Sequence, residues 1–219
     1  METHSEENYM KAIYQLSENA TKTVSTKHIA ELIKSKPSSV TDMMQKLAAK
    51  KLVKYKKYQG VSLTKEGKRK TLHVIRKHRL WELFLVQQLG FSWDEVHDVA
   101  EQLEHVKSSL LVDRLDEFLE YPTTDPHGDP IPDAEGNMRV LDASLLSEAE
   151  VQQKYTVACV KDSSAALLKY LDKIEIGLQT ELKIVERFDY DNSILVEVAG
   201  KEMVTMSEKV CSNLFVNII

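Results

Sequence analysis

The stretch HDVAEQLEHV, residues 97–106, sets two imidazoles and two carboxylates within ten positions. Read as a helix at about 100° per residue, it puts His97, Glu101, Glu104 and His105 at i, i+4, i+7 and i+8 on one stripe. The adjoining stripe, Val96, Val99, Ala100, Leu103 and Val106, is apolar and faces a core. Upstream, VIRKHRLWELFLV holds His78 and Glu82 at i, i+4 on an otherwise apolar helix. Imidazole nitrogen and carboxylate oxygen together suit borderline divalent ions such as Mn²⁺, Fe²⁺, Co²⁺ or Zn²⁺. No thiol joins them, which argues against a structural zinc centre. A solvated helix face with His–Glu pairs worth roughly 0.2–0.5 kcal/mol each fits any one of these residues. Six of them on two neighbouring helices favour a metal site.

Catalysis is the weaker reading of that metal. A di-metal carboxylate bundle needs Glu-x-x-His on paired helices, whereas this cluster runs Glu101-x-x-Glu104-His105. HExxH, a G-x-S-x-G elbow and a phosphate-cradling glycine loop are all absent, and seven glycines leave little material for such loops. A cytoplasmic metalloenzyme is kept as a rival to a non-enzymatic metal sensor.

The elements that must hold these residues read as mainly α with a small β part. A hydrophobic content of 42% with 29% charged residues lies outside the disordered range. No apolar run reaches the roughly 18 residues of a membrane span, and METHSEENYM is too polar for a signal peptide, so a cytoplasmic chain is expected. Cys159 and Cys211, with no CxxC, are expected as buried, reduced thiols. The net charge of −5 conceals an asymmetry: residues 1–70 hold 15 Lys and Arg against 7 Asp and Glu, and the remainder 14 against 27. A basic head on an acidic body points to a polyanionic partner.

Within that head, ENYMKAIYQLSE reads as a first helix, Ser25-Thr26 cap a second in KHIAELIK, and Pro37 opens a third whose buried face is Val40, Met43, Met44 and Leu47. LVKYKKYQGVSLT then reads as a basic hairpin about Gly60, which completes a winged helix-turn-helix. A long helix over about 65–89 follows, and Ser92 with Glu95 forms a capping-box pattern before the 93–106 helix. A helix over about 107–120 presents Leu110, Leu111, Leu115, Phe118 and Leu119, more apolar surface than one exposed helix needs, so a partner subunit is expected. YPTTDPHGDPIP, with four of five prolines, marks an ordered crossing. Beyond it, LKIVERF, SILVEVAG, EMVTMS and LFVNII suit a small β-barrel.

In this order, EENYMKAIYQL, KPSSVTDMMQKL, YQGVSLTKEGK, RKHRLWE, HDVAEQLEHV and DPHGDPIP resemble the diphtheria toxin repressor and manganese transport regulator family. The resemblance covers residues 5–140 and continues through IGLQTELKIV into an SH3-like, FeoA-type third domain. It implies a winged-helix DNA-binding domain over 1–70, a helical metal-binding and dimerisation domain over 71–140, and the barrel over 148–219. It implies a homodimeric, metal-dependent transcriptional repressor of metal-uptake genes, acting on a palindromic operator in double-stranded DNA.

By position, the family's primary metal site falls on His78, Glu101, Glu104 and His105, with Asn8 where manganese-type members have aspartate and iron-type members methionine. Glu101 stands where iron-responsive members tend to have cysteine, and a hard oxygen donor moves the expectation to Mn(II), with Fe(II) the alternative. Lys11 stands where some manganese members carry a second acidic ligand. An ancillary site falls on Glu82 and His97 as in iron-type members, or draws on Asp125, His127 and Asp162 as in barrel-containing manganese-type members. A degenerate site on a metal-independent regulator is the further alternative.

The third helix would enter the major groove through its N-terminal end, with Pro37, Ser38, Ser39, Thr41 and Gln45 on the DNA side. These side chains are short, so direct base readout is expected to be modest, with DNA shape and half-site spacing carrying much of the specificity. Lys27, Lys34, Lys36, Lys46, Lys54, Lys56 and Lys57 are the candidate phosphate contacts. A metal joining the helices would favour the head separations that match half-sites ~34 Å apart.

Overall fold

A computed structural model describes residues 2–17, 22–161 and 164–219. The chain forms two compact units, one of Met1–His78, Leu103–Lys107 and Pro132–Met138, the other of Arg79–Gln102, Ser108–Ile131 and Arg139–Ile219.

In the first unit, helix α1 (His4–Leu16) opens on a capping box: the Thr3 hydroxyl accepts from the Glu6 amide at 3.3 Å and the Glu6 carboxylate accepts from the Thr3 amide at 2.8 Å. Ser25 caps helix α2 (Thr26–Leu32), accepting from His28 N at 3.2 Å. Helix α3 (Pro37–Ala49) starts at the expected proline, with Lys36 in an extended conformation before it. Strands β1 (Val53–Lys56) and β2 (Gly60–Leu63) form the wing, Val53 opposite Leu63 and Lys56 opposite Gly60. Val24 bridges to Val61 and ties the α2 approach to the wing. Tyr9, Ile13, Ile29, Val40, Met44, Leu47 and Val61 share the core under these elements. Of the expected α3 face, Met43 alone is only half-buried.

Helix α4 (Lys65–Leu89) passes from the first unit to the second after His78. Thr64 caps it, accepting from Gly67 N at 3.0 Å while its hydroxyl faces the Lys51 and Leu52 carbonyls. Gly67 is required by that docking, since a Cβ there would lie 1.9 Å from the Leu52 carbonyl oxygen.

In the second unit, helix α5 (Val96–Leu103) is shorter than its sequence pattern. The Ser92–Glu95 contact forms, Oγ to carboxylate at 2.8 Å, but closes a turn ahead of α5 and not its first turn. At the other end, Glu104 and His105 lie in a turn beyond Leu103, closed by Val106 N donating to Leu103 O at 3.1 Å. The single helical stripe expected from His97 to His105 is therefore corrected: its last two members leave the helix. Helix α6 (Ser109–Phe118) packs Val112 and Leu115, with Leu119 after it, on Leu80, Leu83 and Ile131, and leaves Leu110, Leu111 and Phe118 exposed.

The rest of this unit is a six-stranded antiparallel sheet with two helices. In chain order it runs β3 (Ser144–Leu145), β4 (Lys154–Val160), α7 (Ala165–Lys173), β5 (Glu181–Arg187), β6 (Ile194–Val198), β7 (Glu202–Met206), α8 (Glu208–Cys211) and β8 (Leu214–Ile218), with spatial order β3-β8-β4-β5-β6-β7. The four segments read as strands become β5 to β8. KYTVACV, β4, was not among them, although Tyr155, Val157 and Cys159 point inward in alternation with Lys154, Thr156 and Ala158, and its register on β8 shifts between Val157 and Cys159. Val157, Leu168, Leu171, Ile184, Val196 and Leu214 lie in its core. Cys159 and Cys211 are buried free thiols, and burial pushes Cys211 up to about 11. Among the described residues no helix is long and apolar enough to cross a membrane.

Candidate metal centre and nucleic-acid interface

The first unit brings together three of the expected primary donors. α4 supplies His78 near its midpoint, and the turn after α5 supplies Glu104 and His105, all buried. Glu104 Oε2 lies 2.7 Å from His78 Nδ1 and 2.6 Å from Lys11 Nζ. Burial pushes this carboxyl up, but the His78 hydrogen bond and the Lys11 charge outweigh it and hold it below the usual carboxylate range. Glu104 Oε1 is buried and accepts no hydrogen bond among the described residues.

His105 Nδ1 lies 2.5 Å from Glu7 Oε2, and a carboxylate at that distance requires the proton on Nδ1. The lone pair of a neutral His105 is then on Nε2, 3.7 Å from the free Glu104 Oε1. His4 stacks on the His105 ring with centroids 4.3 Å apart. Neither Glu7 nor the Lys11–Glu104 pair was singled out from the sequence as a partner of these donors. EENYMK did carry the signal, with Glu7 and Lys11 at i, i+4 on the polar face of α1. Asn8 sits exposed on α1.

Glu101 falls in the second unit, where its carboxylate is 3.9 Å from His97 Nε2. The second unit also gathers Glu82, Asp125 and His127, all buried, with one ligand atom from each within 4.8 Å of the others. His127 Nδ1 is 3.7 Å from Glu82 Oε2 and 4.0 Å from Asp125 Oδ1, and His97 Nδ1 is 3.4 Å from Glu82 Oε1. The proline-rich loop is built for this. Asp125 Oδ1 accepts from the amides of His127 (2.8 Å) and Asp129 (3.0 Å), and His127 O accepts from Val160 N of β4 at 2.8 Å. Gly128 has φ of +87°, and a Cβ would meet the Ala158 carbonyl oxygen at 2.1 Å.

Charge in this cluster is unevenly held. Burial pushes Asp125 up, with the Asp129 charge adding to it and Arg79 opposing. Burial pushes His127 down, but the Glu82 carboxylate beside it, with Asp125 and the Trp93 carbonyl, wins and raises it to about 9. Arg79, which the sequence reading passed over, is the resident cation: Nε is 3.4 Å from Asp125 and a terminal nitrogen 3.2 Å from Asp129, with a further bond to the Pro130 carbonyl. Asp162 lies outside the described residues.

On the head, Lys36, Pro37, Ser38, Ser39 and Gln45 are exposed. Thr41 is half-buried and its hydroxyl donates back to the Pro37 carbonyl at 3.0 Å. Lys27 is exposed, 3.8 Å from Glu31. Lys46 lies 3.2 Å from Glu6. Lys56 and Lys57 flank the wing tip, where Tyr58 is 94% exposed with Lys57 Nζ 5.1 Å from its ring centroid. Tyr58 was missed, although an aromatic directly after two lysines at a hairpin tip is a fair signal for nucleic-acid contact.

A winged helix followed by buried His and carboxylate donors defines a metal-dependent DNA-binding regulator. Three family models match the chain in order: "Iron dependent repressor, N-terminal DNA binding domain" over residues 1–61, "Iron dependent repressor, metal binding and dimerisation domain" over 64–133, and "FeoA domain" over 145–218. The diphtheria toxin repressor of Corynebacterium jeikeium is 30% identical, over 83% of this chain and 78% of its own length. The HTH-type transcriptional regulator MntR of Bacillus velezensis is 35% identical, over 55% of this chain and 84% of its own. A solved manganese-dependent transcriptional repressor in complex with manganese superposes with a TM-score of 0.89 at 36% identity, covering 97% of this chain and 99% of its own. The chain belongs to the diphtheria toxin repressor and manganese transport regulator family of metal-dependent transcriptional repressors, and it is not an enzyme.

Proposed function

We propose that this chain is a Mn²⁺-responsive repressor that binds a palindromic operator as a homodimer in the cytoplasm and controls metal-uptake genes. His78, Glu101, Glu104 and His105 hold the primary ion, with the Asn8 carbonyl as a further oxygen donor. Glu82, Asp125 and His127 hold a second ion, with His97 beside it and Asp162 as an added carboxylate. The observation that carries the reading is the pairing of two free lone pairs, His105 Nε2 and the orphaned Glu104 Oε1, 3.7 Å apart. A buried carboxylate oxygen with no hydrogen bond is costly unless something binds it, and a divalent cation does.

Manganese is supported by the donors, all oxygen or imidazole nitrogen, and by the likeness to a manganese-dependent repressor. Fe²⁺ is the second reading, favoured by the iron-dependent description of two matching family models. The test is selection of duplexes from a random-sequence pool in parallel with Mn²⁺, anaerobic Fe²⁺ and EDTA. A shared palindrome recovered only with Mn²⁺ is the expected result. Recovery with Fe²⁺ alone changes the metal, and equal recovery in EDTA overturns metal dependence.

A further inference from the structure

We infer that Glu6 is a positioning residue through which the metal centre acts on the DNA-reading helix α3, a role that rests on reading Glu104 and His105 as metal donors. Glu6 is fully buried, yet its partners are charged: Lys50 Nζ lies 2.8 Å from its carboxylate and Lys46 Nζ 3.2 Å away. Both lysines stand one turn apart at the C-terminal end of α3. The next residue, Glu7, about 100° further round α1, takes His105 at 2.5 Å. Lys11, one turn on from Glu7, takes Glu104 at 2.6 Å.

The first turns of α1 are therefore tied by ionic groups to the donors on one side and to α3 on the other. The Thr3–Glu6 capping box closes the opening turn, so Glu6 moves with Glu7 as one body. When Glu104 and His105 reorient toward an ion, Glu7 and Lys11 follow, and Glu6 carries the displacement to Lys46 and Lys50. Apolar packing alone would let α3 slide on α1, whereas a charge-assisted hydrogen bond from Lys50 and an ion pair with Lys46, both on one carboxylate, specify its position. The lysine side chains are 53% and 36% exposed, so water takes up their ammonium groups when the Glu6 charge is removed, and the chain still folds.

The experiment measures Mn²⁺ affinity by calorimetry and affinity for one duplex, enriched by the wild-type chain in Mn²⁺, with and without the metal. Glu6→Gln is expected to leave Mn²⁺ affinity within about twofold while the Mn²⁺-induced gain in duplex affinity falls by about tenfold. Lys46→Gln with Lys50→Gln does the same, and all three together do no more. Equal losses with and without Mn²⁺, adding across variants, would make the lysines plain phosphate contacts and overturn the role. Weakened Mn²⁺ binding would make Glu6 a support of the donors and overturn it too. An undiminished gain in the variants sinks Glu6 alone, whereas a wild-type chain indifferent to Mn²⁺ sinks the metal-centre reading itself. Amide exchange of the wild-type chain gives a check that needs no variant: Mn²⁺ must slow exchange over residues 44–50 as well as over 4–11, and protection confined to 4–11 rejects the coupling.

Discussion

Glu7 and His105, 98 residues apart in sequence, meet at 2.5 Å through carboxylate and Nδ1. The contact sets the tautomer of His105 and aims its remaining lone pair, so a residue that is not itself one of the expected ligands decides whether His105 can be one. Glu7→Gln keeps the size and loses the charge. Its Mn²⁺ affinity is expected to fall by about 10–100-fold, read by calorimetry at constant pH. Unchanged affinity would mean that His105 is oriented by packing alone.

The Glu82, Asp125 and His127 cluster predicts a second ion. Wild-type protein is expected to bind two Mn²⁺ per chain, and His127→Ala one, with the primary affinity little changed. Because Asp125 supplies oxygen where a thiolate would be softer, Asp125→Cys should raise affinity for Cd²⁺ and Zn²⁺ relative to Mn²⁺. A single Mn²⁺ per wild-type chain would reduce the cluster to an ion-pair network centred on Arg79.

Glu6 also sets a pH dependence. Burial alone pushes its carboxyl up, but the bond from Lys50, with those from the Thr3 amide and Lys46, holds it down at about 2. A carboxyl depressed in the folded state adds stability that is fully present above its unfolded value near 4.5 and is lost as pH falls toward 2. Wild type should therefore unfold at a higher temperature than Glu6→Gln at pH 6, and the gap should close progressively below pH 4.5 in thermal melts. A gap that is constant down to pH 2 would show that the charge contributes nothing.

At the wing, Lys57→Ala should weaken duplex binding about equally for all sequences and lower the slope of log K against log salt by about 1. Fluorescence anisotropy across a salt series reads both quantities. A loss confined to one sequence would place Lys57 on a base edge.

Much of this chain was legible because its local signals agree. The head follows from caps and turns: Ser25 before α2, Pro37 opening α3 and Gly60 in the hairpin each act within four residues. The apolar spacing of α3 named Val40, Met44 and Leu47, which are all buried. The pattern failed where backbone geometry departs from its ideal period. The end of α5 at Leu103 moved Glu104 and His105 off the helix on which their spacing had placed them.

By itself the sequence determined which residue types are available for metal and DNA, the order of the elements, and, through six ordered motifs, the family. Residue spacing cannot report which oxygen of Glu104 is already taken, that Glu7 holds His105, or that Arg79 stands against Asp125. Those facts depend on contacts 26 to 98 residues apart. Only the tertiary structure decides such contacts, because hydrogen bonds and ion pairs form by distance in space, after packing has brought distant parts of the chain together.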